Sequence, residues 1–341
     1  MRSGMICLLF AASVLLGGCV EAEPLRSGTH PPVHLTAWQT YWDMEGGRND
    51  YAALRKKTDA ISCFAVSYDE NDSLYVPDEV RAMVEEYKGK KFDTYLSFTN
   101  DIIGKRRSEK DRELLWRLLG DDAAMDRTVE GIAALAASFG VHGVELDYEN
   151  FAKEEKLLQR YLVFTYRLSA ACVHQGLKLR IVLEPSVPFD AGFAKGPEYV
   201  VMLYNLYGKH SGPGAKADGA FIEKTLTKME ALPEKRAVAF ATGGCLWQDY
   251  GLFGLKSGER RFITAREAVD LAQKHNITPE RDEASAALHF RFEADGHETE
   301  VWYADSETLN AWITLAANRG ISSVSIWRLG GNVELGQVRN K

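Results

Sequence analysis

The chain has 341 residues, 45% hydrophobic and 26% charged, with 48 acidic against 41 basic side chains. This is ordinary globular composition, and a formal net charge of −7 argues against a nucleic-acid partner. The tightest basic run, Lys105-Arg106-Arg107, is broken by acids within a few residues and reads as a solvated loop or helix start.

The N-terminus differs in kind from the rest. Arg2 supplies a positive start, residues 5–16 are almost wholly apolar, and Leu16-Gly17-Gly18-Cys19 follows. The apolar run is too short to span a bilayer comfortably and reads as a signal peptide. Its ending resembles the bacterial lipobox, and that resemblance implies lipidation of Cys19. The expected division is a leader over residues 1–18, a tether over 19–32 and a body over 33–341. The expected location is the cell envelope (outer membrane or cell surface), after export, with the membrane met only through the N-terminal lipid. Cys63, Cys172 and Cys245 remain, an odd set at scattered spacing, so no disulfide framework is expected. The histidines do not join them at metal-ligand spacing, and no metal site is expected.

Residues 33–38, 60–66 and 92–98 read as strands, rich in apolar, aromatic and β-branched side chains. A helix capped at Pro77-Asp78 lies between the second and third, with Val80, Met83, Val84 and Tyr87 on one face. Helical period resumes over 114–119 and 129–136 and stops at Phe139-Gly140, where glycine suits the position after a helix. Residues 141–148 read as the fourth strand. Leu157, Tyr161, Phe164, Leu168 and Cys172 then mark the apolar stripe of a long helix. Strands follow near 179–183, 199–204 and 237–241, with a helix around 221–232. The last strand is 323–327, preceded by a helix that starts at Ser306 and ends before Gly320. Eight strands alternating with helices predict parallel pairing and a (β/α)₈ TIM barrel. The rhythm breaks between the seventh and eighth strands. There Thr264-Ala265-Arg266-Glu267 is a capping box, and 287–292 and 298–303 alternate around Asp295-Gly296 as a hairpin. A small α+β insertion, about 264–303, is expected on the catalytic face.

The most informative stretch is Val141-His142-Gly143-Val144-Glu145-Leu146-Asp147-Tyr148-Glu149-Asn150. Alternate residues of a strand share a face, so Glu145, Asp147 and Glu149 project together. Successive carboxylates then stand ~6.6 Å apart along the strand. Like charges so close raise one another's pKa, and a carboxyl held neutral at working pH is a general acid. In a barrel this face points into the lumen, and Glu149 falls at the C-terminal strand end, where barrel chemistry sits.

The segment resembles the D-x-x-D-x-D-x-E motif of glycoside hydrolase family 18, the chitinase-like barrels. It is more closely similar to the branch of spore-cortex-lytic N-acetylglucosaminidases. The similarity runs roughly from residue 33 to 330. Met202-Leu203-Tyr204-Asn205 resembles the family's sixth-strand M-x-Y-D, and Ile326-Trp327-Arg328-Leu329-Gly330 its terminal strand. Val301-Trp302-Tyr303-Ala304-Asp305, with Ser306 and Leu309, resembles a segment before the last helix. The resemblance implies a retaining, substrate-assisted hydrolase of β-linked N-acetylglucosamine glycans that needs no metal or cofactor. The envelope tether suggests peptidoglycan; chitin, host N-glycans, or a silent glycan-binding lipoprotein are the alternatives. The body is read as a monomer.

The resemblance also implies roles. Glu149 matches the proton donor, and Asp147 the residue that orients the substrate's 2-acetamido group. Tyr204 matches the hydroxyl on the acetamido carbonyl, and Trp327 the floor beneath the sugar. With the nucleophile supplied by the substrate, one acid and one orienting carboxylate suffice. Glu145, Asn205 and Trp38 complete the expected substrate-binding set, and Trp42, Trp247 and Tyr250 are further stacking candidates. Three positions depart from the family pattern: His142 and Glu145 stand where it has aspartates, and Asn205 replaces the aspartate after the tyrosine.

Overall fold

A computed structural model describes residues 24–249, 258–294 and 296–341. The leader and Cys19 lie outside the described residues, as do Tyr250 and Asp295. Eight parallel strands form a ring: His34–Thr40, Ala60–Tyr68, Asp93–Ile102, Gly143–Asp147, Lys178–Leu183, Glu198–Met202, Arg236–Ala241 and Ser323–Trp327. Each pairs with its neighbour in sequence, and the first also pairs with the eighth, which closes the barrel. The core lies between this ring and its helices. Val144 and Leu146 share one buried cluster with the Leu157, Tyr161, Phe164, Leu168 and Cys172 stripe of the helix Glu155–His174.

The helical stretch after the third strand is two helices, Arg112–Leu119 and Asp122–Phe139. Asp121 restarts the chain by accepting from the Ala124 N–H at 2.9 Å, a side-chain cap. Gly140 ends it at φ 68°, a left-handed conformation in which its missing Cβ removes a clash. The alternation has one exception. No helix joins the fifth and sixth strands, whose connection carries Pro185, Pro188 and Pro197 and so loses backbone donors repeatedly.

Two expected boundaries are corrected. Residues 24–32, read as part of a tether, are held on the body. The Leu25 N–H donates to the Glu283 carbonyl at 2.8 Å and the Gly28 N–H to Thr314 Oγ1 at 3.2 Å. The inserted sheet also begins earlier than residue 264. Its five antiparallel strands run in the order Arg260–Ile263, Gly243–Gln248, His297–Ala304, Leu288–Ala294 and Glu280–Arg281. The capped helix Ala265–Lys274 shares its hydrophobic cluster. The Gly243-Gly244 pair weakens the strand signal, because glycine brings no side chain to pack.

Candidate active site

The barrel lumen holds an ion pair beneath its mouth. Glu145 is fully buried. Its Oε1 accepts from Ser62 Oγ at 2.6 Å, from Ser97 Oγ at 2.9 Å and from the Trp38 indole N–H. Its Oε2 accepts from Arg180 Nη1 at 2.8 Å, and the same guanidinium reaches Glu198 and Ser325 Oγ, each at 2.7 Å. With both oxygens engaged by protein donors, Glu145 has no free face for a sugar, so the expected contact is corrected to a brace under the site. Trp38 goes with it. Its ring is 1% exposed and packs edge-on against Trp327 at 5.8 Å, which removes it from the sugar-stacking set.

Asp147, two residues further along the same face, meets the opposite conditions. Its Oδ1 is buried and makes no hydrogen bond among the described residues. Burial, and then the charge of Glu149, push its carboxyl well above the usual carboxylate range, against the pull of Lys110.

The strand ends at Asp147, so Glu149 sits beyond the ladder. Asn100, from the third strand, supplies the missing support. Glu149 N–H donates to Asn100 Oδ1 at 2.9 Å, and Asn100 Nδ2 donates to the Glu149 carbonyl at 3.2 Å. The Glu149 carboxylate accepts from Lys110 Nζ at 2.6 Å. Burial raises the Glu149 carboxyl and Lys110 pulls it back, with the net direction upward. Burial works against the Lys110 ammonium, but Glu149, together with Asp147 and Glu184, holds it above the usual lysine range. Sequence reasoning missed both Asn100 and Lys110. The loop taken for a solvated one brings Arg107, Glu109 and Lys110 to the cleft. Its signal was position: it follows a barrel strand on the C-terminal face, where sites are built.

The mouth opens into a cleft of about 880 Å³. Asp147, Glu149, Tyr204, Asn205 and Trp327 all line it, as do Trp42 and Phe64. Trp327 is wedged by Phe64 at 4.8 Å, and the peptide bonds Phe64–Ala65 and Trp327–Arg328 are cis. Burial, then Asp147, raises the Tyr204 hydroxyl well above its usual range, which keeps it a neutral donor. Trp42 is 52% exposed at the rim, whereas Trp247 is core, its N–H donating to the Ser211 carbonyl at 3.0 Å. Among the described residues no three metal-ligating side chains converge.

No protein-family model matches the chain. The cortical fragment-lytic enzymes of Bacillus anthracis and Bacillus cereus are each 24% identical to it over 230 residues, 62% of this chain and 52% of theirs. The chain thus spans about half the length of these curated relatives. The structure is similar to the Bacillus cereus spore cortex-lytic enzyme SleL, with a TM-score of 0.78 and 19% identity over 91% of this chain and 74% of that one. It is also similar to a chitinase from Chromobacterium violaceum, with a TM-score of 0.77 and 16% identity over 89% and 96% of the two chains. The fold is that of the chitinase-like barrels. Within this chitinase-like barrel, the other two departing positions are both exposed. His142 precedes the fourth strand, where its Nδ1 accepts from the Thr94 N–H at 3.0 Å. Asn205 is exposed on the cleft rim.

Proposed function

We propose that the chain is a glycoside hydrolase acting on β-linked N-acetylglucosamine glycans, with peptidoglycan as its substrate and the substrate's 2-acetamido group as nucleophile. The observation that carries this reading is the buried Asp147 oxygen, unpartnered among the described residues, beside an acid of raised pKa. An unmade hydrogen bond in a buried site is costly, and an acetamido N–H entering the cleft supplies the missing donor. In the proposed first step Glu149 gives its proton to the glycosidic oxygen as the C1–O bond breaks. The acetamido carbonyl oxygen bonds to C1, with Tyr204 donating to that carbonyl group and Asp147 accepting from the N–H. Water then attacks C1, the C1–acetamido bond opens, and the water's proton goes to Glu149, so configuration is retained. Trp327 lies beneath the sugar. The leader and Cys19 support an envelope site of action on a lipid anchor, because several acyl chains hold a protein stably where one does not.

Mass-spectrometric product analysis on purified sacculi, peptide-free glycan strands and chitooligosaccharides tests the reading. Cleavage of the first two is expected. Glu149→Gln should lower turnover about 10²–10⁴-fold, with a smaller loss on an activated aryl glycoside. Cleavage confined to chitooligosaccharides would move the substrate to chitin, and binding without any turnover would make the protein a glycan-binding lipoprotein. For the anchor, Cys19→Ala should leave the membrane fraction; retention there after a high-salt wash would refute it.

A further inference from the structure

One wall of the cleft joins the edge of the inserted sheet to the loop after the sixth barrel strand, and it is cationic. Phe262, on the edge strand Arg260–Ile263, is 55% exposed and lines the cleft. The Lys216 ammonium stands 4.6 Å from the centroid of its ring, and the Lys209 ammonium 5.2 Å. Lys216 itself lines the cleft.

The other cations of the cleft are matched. Lys110 has Glu149 at 2.6 Å, Arg328 has Asp43 at 2.7 Å and Arg107 has Glu109 at 3.4 Å. The acids nearest this wall in sequence are engaged elsewhere: Asp218 caps a helix by accepting from the Phe221 N–H at 2.7 Å, and Arg261 holds Glu259 at 3.3 Å and Glu267 at 3.1 Å. Lys216 and Lys209 have no acidic partner among the described residues. Burial, opposed only by the Cys245 thiol, holds the Lys216 ammonium below the usual lysine range. A carboxylate arriving beside it would reverse that shift and form a charge-assisted hydrogen bond.

An exposed aromatic ring gives a sugar an apolar face to rest on, but two ammonium groups without counter-ions among the described residues serve a neutral sugar poorly. We propose that Phe262, Lys216 and Lys209 form a subsite for a carboxylate-bearing saccharide, its ring on Phe262 and its carboxylate on the two ammonium groups. The proposal rests on the glycan-hydrolase reading above and sharpens it toward acidic strands. Peptidoglycan offers such carboxylates from two sources: the lactyl ether of muramic acid once its peptide is removed, and the stem peptide itself.

Three ligands separate these outcomes: neutral chitooligosaccharides, amidase-stripped strands with free lactyl carboxylates, and peptide-bearing strands. KM is measured for the full chain and for Lys216→Met/Lys209→Met, with the charge-retaining Lys216→Arg/Lys209→Arg as the rescue. The methionine pair should raise KM for stripped strands about tenfold, the worth of one good ion pair. That rise should be at least about fivefold larger than on chitooligosaccharides, should shrink toward about 0.5 M salt, and should be largely reversed by arginine. A rise on peptide-bearing strands alone would assign the carboxylates to the peptide. Equal changes on all three ligands, or none on either acidic one, would overturn the subsite. Calorimetric titration of the same ligands into Glu149→Gln, with and without the methionine pair, reads this selectivity without turnover. Failure of the hydrolase reading and failure of the subsite are therefore distinct results.

Discussion

Glu145 and Asp147 leave the same face of the fourth strand two residues apart, and their surroundings are opposites. Around Glu145 stand Arg180, two serine hydroxyls and an indole N–H, all inside the lumen. Asp147 has an oxygen without a partner among the described residues, and a neighbouring acid. Both regions bury negative charge, so burial alone does not tell structure from function. Satisfaction does. A buried carboxylate ringed by donors fixes the lumen in one geometry, whereas one left short keeps a strain that a bound molecule can relieve.

The contrast breaks most sharply at Arg180. Arg180→Met leaves buried Glu145 without its ion-pair partner, and should cost about 3–5 kcal/mol in urea unfolding, with part returned by adding Glu145→Gln. A variant as stable as wild type would erase the distinction between the two carboxylates. Trp38→Phe removes one donor from a buried charged acceptor and should cost about 1.5–3 kcal/mol by the same measurement. No loss there would show that the serines and Arg180 suffice.

Asp147→Asn should act with the reverse sign. Its folded pKa lies above the unfolded value, so the stability it contributes is present at low pH and is lost as pH rises through the folded pKa. An amide does not titrate. The variant should therefore melt about 2 °C higher than wild type near pH 8, with the gain fading toward about pH 4, while hydrolysis falls. A lower Tm at the alkaline end would mean that Asp147 is braced as Glu145 is. The smallest effect is expected from Lys110→Met. Lys110 opposes the burial that raises Glu149, so its removal lifts that pKa further and keeps the acid protonated to higher pH. The alkaline limb of the kcat/KM profile should move up by less than about one unit; a downward move would reverse the role given to Lys110.

Periodicity made most of the ring legible. The stripe from Leu157 to Cys172 points at Val144 and Leu146 as its spacing requires, and Asp147, Glu149, Tyr204 and Trp327 meet at one mouth. Period two reports which face a residue takes, not its depth, so Glu145 and Asp147 looked alike until closure of the sheet put one under the other. Lys110 and Asn100 act across 39 and 49 residues of chain, beyond any local pattern. The inserted sheet was read too short because glycines open its first barrel-proximal strand, and the fifth-to-sixth connection was read too regular despite its prolines.

Glu149 keeps its place through its main chain on Asn100, while among the described residues its carboxylate touches one half-exposed lysine. A change of that side chain spares the support. A single base substitution turns a glutamate codon into a glutamine codon, and here it would silence the acid while leaving the cleft, its aromatic floor and the Phe262 wall standing. On the proposed function, descent from cutting a glycan to merely grasping one is thus a single mutational step. A change at Arg180 instead removes the partner of Glu145, Glu198 and Ser325 at once, and so strikes the ring itself.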